Sequence, residues 1–123
     1  MLEGDLIVEL KNLFAEQEEA YKTWEKRVVL QAEAEKEYQI LMRQRALLEK
    51  DARTPSTFIS QFIRGDEDIA ELRKRRDIAE ALAEISKNKV TDLRKRIEVT
   101  NAQAGREWAV RDNNLPATPP WLE

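Results

Sequence analysis

The chain has 123 residues, a net charge of −3, 37% charged side chains and only three glycines, and it contains neither Cys nor His. Without Cys and His it lacks thiol nucleophiles, imidazole general bases and the usual nitrogen and sulfur metal ligands, so no catalytic residue, metal or cofactor is expected and the chain reads as a non-enzyme. The composition is that of long amphipathic helices, and the small acidic excess argues against a general polycationic coat for nucleic acid.

Met1-Leu2-Glu3-Gly4-Asp5 has neither a basic start nor an apolar run. No stretch approaches the roughly 20 apolar residues of a spanning helix, so a soluble, cytoplasmic protein without a membrane partner is expected. Asp5 can cap a first helix over about 5–53, since neither Gly nor Pro follows until Pro55. Along it Leu6, Leu10, Leu13, Phe14, Tyr21, Trp24, Val28, Tyr38, Leu41, Met42 and Leu48 recur at steps of three and four, while Gln17, Gln31 and Arg45 interrupt the stripe.

A short helix over about 55–64 follows, with Thr54 as cap, Pro55 at its first position and Gly65 as its stop. Its apolar residues Phe58, Ile59, Phe62 and Ile63 share one side. They either close the end of a hairpin or offer a docking patch for a partner. Asp66, Glu67 and Asp68 open a second long helix over about 66–112, where carboxylates favour the positive end of the backbone dipole; a magnesium-binding tip is the alternative use of these acids.

The second helix carries Ile69, Leu72, Ile78, Leu82, Ile85, Val90, Leu93, Ile97 and Trp108, with Ala79, Ala83 and Ala104 between them. Two helices of similar length joined by a short connector fold back on each other, which gives a long antiparallel coiled-coil hairpin over 1–112. Ile78, Leu82 and Ile85 form a second apolar line that one partner helix cannot cover, so an oligomer is expected. The Pro-rich segment 113–123 is expected to be an extended, flexible tail, in which Trp121 and Leu122 form a candidate recruitment motif. The fold class is thus all-α.

Between Leu72 and Ile97 nine Lys or Arg stand against four acids. Arg73, Lys87 and Arg94 are separated by multiples of seven and would hold one angular position over roughly 30 Å. If the hairpin pairs Arg43 and Arg45 with Arg73, Lys74, Arg75 and Arg76, six cations converge. With Lys87, Arg94, Lys95 and Arg96 they make a candidate phosphate-binding surface, the bland alternative being a solvated outer face. Tyr21, Trp24 and Tyr38 lie on the apolar stripe and read as core rather than as base-stacking residues.

Asp5-Leu6 with Glu9-Leu10-Lys11, the Tyr21-x-x-Trp24 spacing, and Asp66-x-Asp68-Ile69 at the second helix start resemble the recombination mediators of T4-type bacteriophages. The chain departs from that family in its shorter span between Trp24 and the second helix, its acidic charge and its Pro-rich tail. The resemblance implies a ring-forming protein that binds single-stranded DNA, helps displace the single-strand-binding protein and loads a recombinase. Arg73 to Arg76 and Arg94 to Arg96 would then meet phosphates. Two further readings stay open: a protein-binding adaptor or assembly component without nucleic acid, and a polymerase-channel factor using the acidic tip.

Overall fold

The computed structural model describes residues 3–113, with side-chain surroundings described for 4–110. Helix α1 (Glu3–Asp51) leads through α2 (Ser56–Gly65) to α3 (Glu67–Asn113), and no strand occurs among the described residues. The all-α class and the two long helices are therefore as expected. Helix α1 starts two residues earlier than the expected Asp5 cap; Asp5 lies inside the first turn, where its carboxylate still meets the positive end of the dipole.

The helices pack as two units. One joins α1 up to Tyr21 with α3 from Lys89 onward; the other comprises Lys22 to Asn88 and contains α2. On α1 a run of covered positions, Leu6, Leu10, Leu13, Gln17, Ala20, Trp24, Arg27, Gln31, Ala34, Tyr38, Leu41 and Arg45, follows alternating steps of four and three, with Glu9, Glu35, Met42, Ala46 and Glu49 partly covered beside it. On α3 the run is Ile69, Leu72, Arg76, Ala79, Ala83, Ser86, Val90, Leu93, Ile97, Thr100, Ala104 and Glu107, again alternating, with Arg73, Leu82, Thr91 and Gln103 partly covered beside it. This is the 3.5-residue average of a coiled-coil seam.

That strict period corrects the expected stripes. Phe14, Tyr21, Val28 and Leu48 stand outside the α1 seam and are exposed, as are Ile78, Ile85 and Trp108 on α3. All but Leu48 lie next to a seam position rather than on it, and hydropathy alone does not separate the two; Leu48 falls where the period would continue past Arg45 but stays exposed at the end of α1.

The two units differ in what their seams contain. In the unit with the α1 start, Leu6, Leu13, Val90 and Leu93 are buried aliphatics. Between 22 and 88 the only large buried apolar side chains are Tyr38 and Ile69; the other buried positions are Ala83 and Ser86.

The connector explains why α1 ends where it does. The Thr54 N–H donates to the Glu49 carbonyl and the Arg53 N–H to that of Lys50, each at 3.0 Å, while Arg53 takes a positive φ of 58°. These are the two bonds and the left-handed residue of a Schellman stop. The Thr54 hydroxyl also donates to Glu49 Oε2 at 2.8 Å. Pro55, not Thr54, occupies the cap position of α2, with an extended ψ of 137° and no side-chain cap bond. Asp66 then ends α2 and starts α3: its Oδ1 accepts from the N–H groups of Asp68 and Ile69 at 2.9 and 3.1 Å.

Candidate partner-binding surfaces

The register within the 22–88 unit decides what the basic residues can do. Arg45 faces the beginning of α3: its Nη2 lies 2.9 Å from Asp68 Oδ2 and its Nη1 3.5 Å from Asp66 Oδ2. Arg45 thus meets residues five to seven positions before Arg73, between one and two helical turns from the pairing that would set Arg43 and Arg45 against Arg73 to Arg76, so the six-cation convergence does not form. Opposite charges meet instead of like ones. Arg43 is exposed on α1.

Arg76 sits on the seam. Its guanidinium lies 4.4 Å from the centroid of the buried Tyr38 ring, 3.6 Å from Glu35 Oε2 and 3.1 Å from Asp77 Oδ1. Arg73 approaches the same ring at 5.9 Å. The hydrogen bond to Asp77 holds the Arg76 pKa above its ordinary value against partial desolvation, with the charges of Asp77 and Glu35 adding to the effect. Arg76 is thus a packing cation with two counter-ions and an aromatic face. Glu35 and Tyr38 were not legible as its partners from sequence, although Tyr38 and Arg76 both fall on the heptad seam.

The other cations point in several directions. Arg75 pairs with Glu71 one turn earlier at 3.6 Å. Lys74, Lys87, Lys95 and Arg96 are exposed. Arg94 donates from Nη2 to the Tyr21 hydroxyl at 3.0 Å, and this bond raises its pKa. Lys87 belongs to one packing unit and Arg94 to the other. Four consecutive cations at 73–76 span about 300° of the helix circumference, which spreads them around α3 instead of aligning them.

The acidic tip is committed to structure. Asp66 caps α3, and both Asp66 and Asp68 pair with Arg45. Among the described residues no group of three Asp, Glu, His or Cys side chains converges as a metal site. No described helix is long and apolar enough to cross a membrane.

Apolar surface is the more consistent feature. Leu30 of α1 and Ile78 and Leu82 of α3 line one groove together with Arg27, Arg75 and Ala79. Ile78 is 49% exposed and Ile85, two turns on from it, 64%. Val29 and Leu30 line an adjoining groove along α1 with Lys22, Lys26, Glu25 and Glu33. In α2, Ile59 and Ile63 are half-buried, whereas Phe58 and Phe62 are exposed. The short helix thus both closes the hairpin and presents a patch. Trp121 and Leu122 lie outside the described residues.

No family model, curated protein or solved structure matches the chain, so the geometry itself carries the functional reading.

Proposed function

We propose that this chain is a non-enzymatic, self-associating helical hairpin that serves as a docking and assembly module for other proteins. One observation carries the reading. Between 22 and 88 the seam holds Arg27, Gln31, Ala34, Arg45, Arg76, Ala79, Ala83 and Ser86 beside its larger apolar side chains Trp24, Tyr38, Leu41, Ile69 and Leu72, while Leu30, Ile78 and Ile85 stay exposed next to it. These exposed apolar side chains lie on the flank, where a second helix pair would cover them. Covering a half-exposed aliphatic side chain contributes on the order of 1 kcal/mol. Several such side chains on each copy supply the driving force for the contact. The test is sedimentation equilibrium on the full chain and on Ile78→Ser/Ile85→Ser. The expected result is a multimer that the double variant dissociates with its helix signal intact; a wild-type monomer at micromolar concentration rejects the proposal.

Single-stranded DNA binding, with a recombinase and a single-strand-binding protein as partners, is the second reading and rests on the exposed Arg43, Lys74, Lys87, Lys95 and Arg96. It requires affinity that falls steeply with salt. Lys74→Ala/Lys87→Ala/Lys95→Ala is the informative variant, because Arg45 and Arg76 hold the hairpin together and their loss would perturb packing. Binding that ignores both salt and these lysines removes the DNA reading and leaves the docking module.

A further inference from the structure

An apolar line runs along one side of the unit that joins 1–21 with 89 onward. The Arg94 bond to the Tyr21 hydroxyl sets these two residues level with each other. One heptad back on α1 and one forward on α3 then bring Phe14 level with Asn101, and a second heptad brings Ile7 level with Trp108. Each of these six residues directly follows a seam position, so all lie on the same side of the helix pair. Ile7, Phe14, Tyr21 and Trp108 are exposed there.

Gly105 lies on this side too, one turn before Trp108, inside α3. It is exposed, and a Cβ added to it meets nothing within 4 Å. A helix-interior glycine is unfavourable relative to alanine, and no neighbour among the described residues requires it here. The missing side chain leaves room for a backbone laid against the helix. Charges of both signs border the line, including Lys11 and Glu18 on α1 and Arg94 and Glu98 on α3, so charge does not select what covers it.

Residues 114–123 follow α3 directly and have the matching chemistry. Leu115, Trp121 and Leu122 are large and apolar, Pro116, Pro119 and Pro120 favour an extended chain, and Glu123 is the one ionised side chain. Their reach also matches. At about 3.1 Å per extended residue, a segment turning back at Asn113-Asn114 carries Trp121, seven residues after Asn114, about 22 Å along α3. At about 1.5 Å per helical residue, Gly105 lies about 12 Å from Asn113 and the level of Phe14 and Asn101 about 18 Å.

We propose that residues 115–122 fold back onto this line of their own chain, with the backbone passing over Gly105 and Trp121 seated against Phe14. Tethering to α3 gives the segment an effective concentration at the line on the order of millimolar, which the same segment of a second copy does not match at micromolar protein. Any protein that recruits Trp121 and Leu122 must then displace them from this seat. The contact uses none of Leu30, Ile78 and Ile85, so it stands or falls separately from the lateral association.

The test is fluorine NMR on the full chain labelled with fluorotryptophan, the resonances being assigned with Trp24→Phe, Trp108→Phe and Trp121→Phe. The Trp121 resonance is expected away from its position in a synthetic peptide of residues 113–123, and unchanged on dilution through the micromolar range. Ile7→Ser/Phe14→Ser is expected to return it to the peptide position. Gly105→Gln is expected to do the same by filling the space, and because glutamine favours helix over glycine, unfolding does not account for that result. Circular dichroism checks that both variants stay helical. Val99→Ser, at an exposed position on the opposite side of α3, is expected to leave the resonance in place. The proposal is overturned if Trp121 of the parent chain resonates at the peptide position, or if dilution sends it there, which would place the seat on a second copy. It is overturned equally if either line variant leaves the resonance unmoved, or if Val99→Ser shifts it as far as they do.

Discussion

At the scale of single residues, the connector holds the sharpest backbone constraint. Arg53 adopts φ 58° at the left-handed position of the α1 stop, where an L side chain crowds its own carbonyl and Gly does not. Arg53→Gly is expected to raise the unfolding free energy by roughly 1 kcal/mol, read as a higher urea midpoint at unchanged slope. Asp66 offers the converse case, because its carboxylate both caps α3 and meets Arg45. Asp66→Ala should cost about 1 kcal/mol through the lost cap, whereas Asp66→Asn keeps the capping oxygen and should cost only a few tenths. Equal melting temperatures for the two variants would show that capping does not matter here. Arg76 and Arg94 both have raised pKa values. A group raised on folding stabilises below its unfolded pKa and loses that contribution as pH climbs through the folded value, which for arginine means strong alkali. Neither residue should therefore produce a stability transition between about pH 5 and 9.

At the scale of the helices, the 3.5-residue period separates neighbours of similar hydropathy. Leu13 is 2% exposed and Phe14, the next residue, 54%. Leu13→Ala should cost about 3 kcal/mol through lost packing and a residual cavity, while Phe14→Ala should change stability by less than about 0.5 kcal/mol. Chemical denaturation of the two variants checks this, and a larger loss from Phe14 would mean a different seam. Tyr38 gives a second test on the thin side of the protein. Its ring is the largest buried surface between 22 and 88 and the platform for Arg76 and Arg73. Tyr38→Ala should cost about 3 kcal/mol, and Tyr38→Phe far less because the ring face remains.

At the scale of the whole molecule, the proposed association rests on exposed apolar side chains. Arg45 pairs with Asp66 and Asp68, and Arg76 with Glu35 and Asp77, inside the 22–88 unit. The surface carries exposed apolar side chains among charges of both signs. Self-association through the Leu30, Ile78 and Ile85 face should therefore strengthen, or hold, as salt is raised, since apolar burial drives it. Sedimentation across a salt series checks this.

The amino-acid sequence by itself determined not the left-handed stop at Arg53 or the cap at Pro55 but the helix count, the place of the connector, and the presence of an apolar line beyond what one partner helix can cover. These follow from local rules: Thr54-Pro55 and Gly65-Asp66 break the helices, and steps of three and four mark a helical face. Only the tertiary structure decided which of two adjacent apolar residues enters the seam, because a 3.6-residue helix and a 3.5-residue supercoil diverge slowly along the chain. It alone decided, too, that Arg45 meets Asp66 and Asp68 instead of Arg73. Register across a hairpin depends on the length and path of the connector, and no local pattern in α1 or α3 encodes that distance.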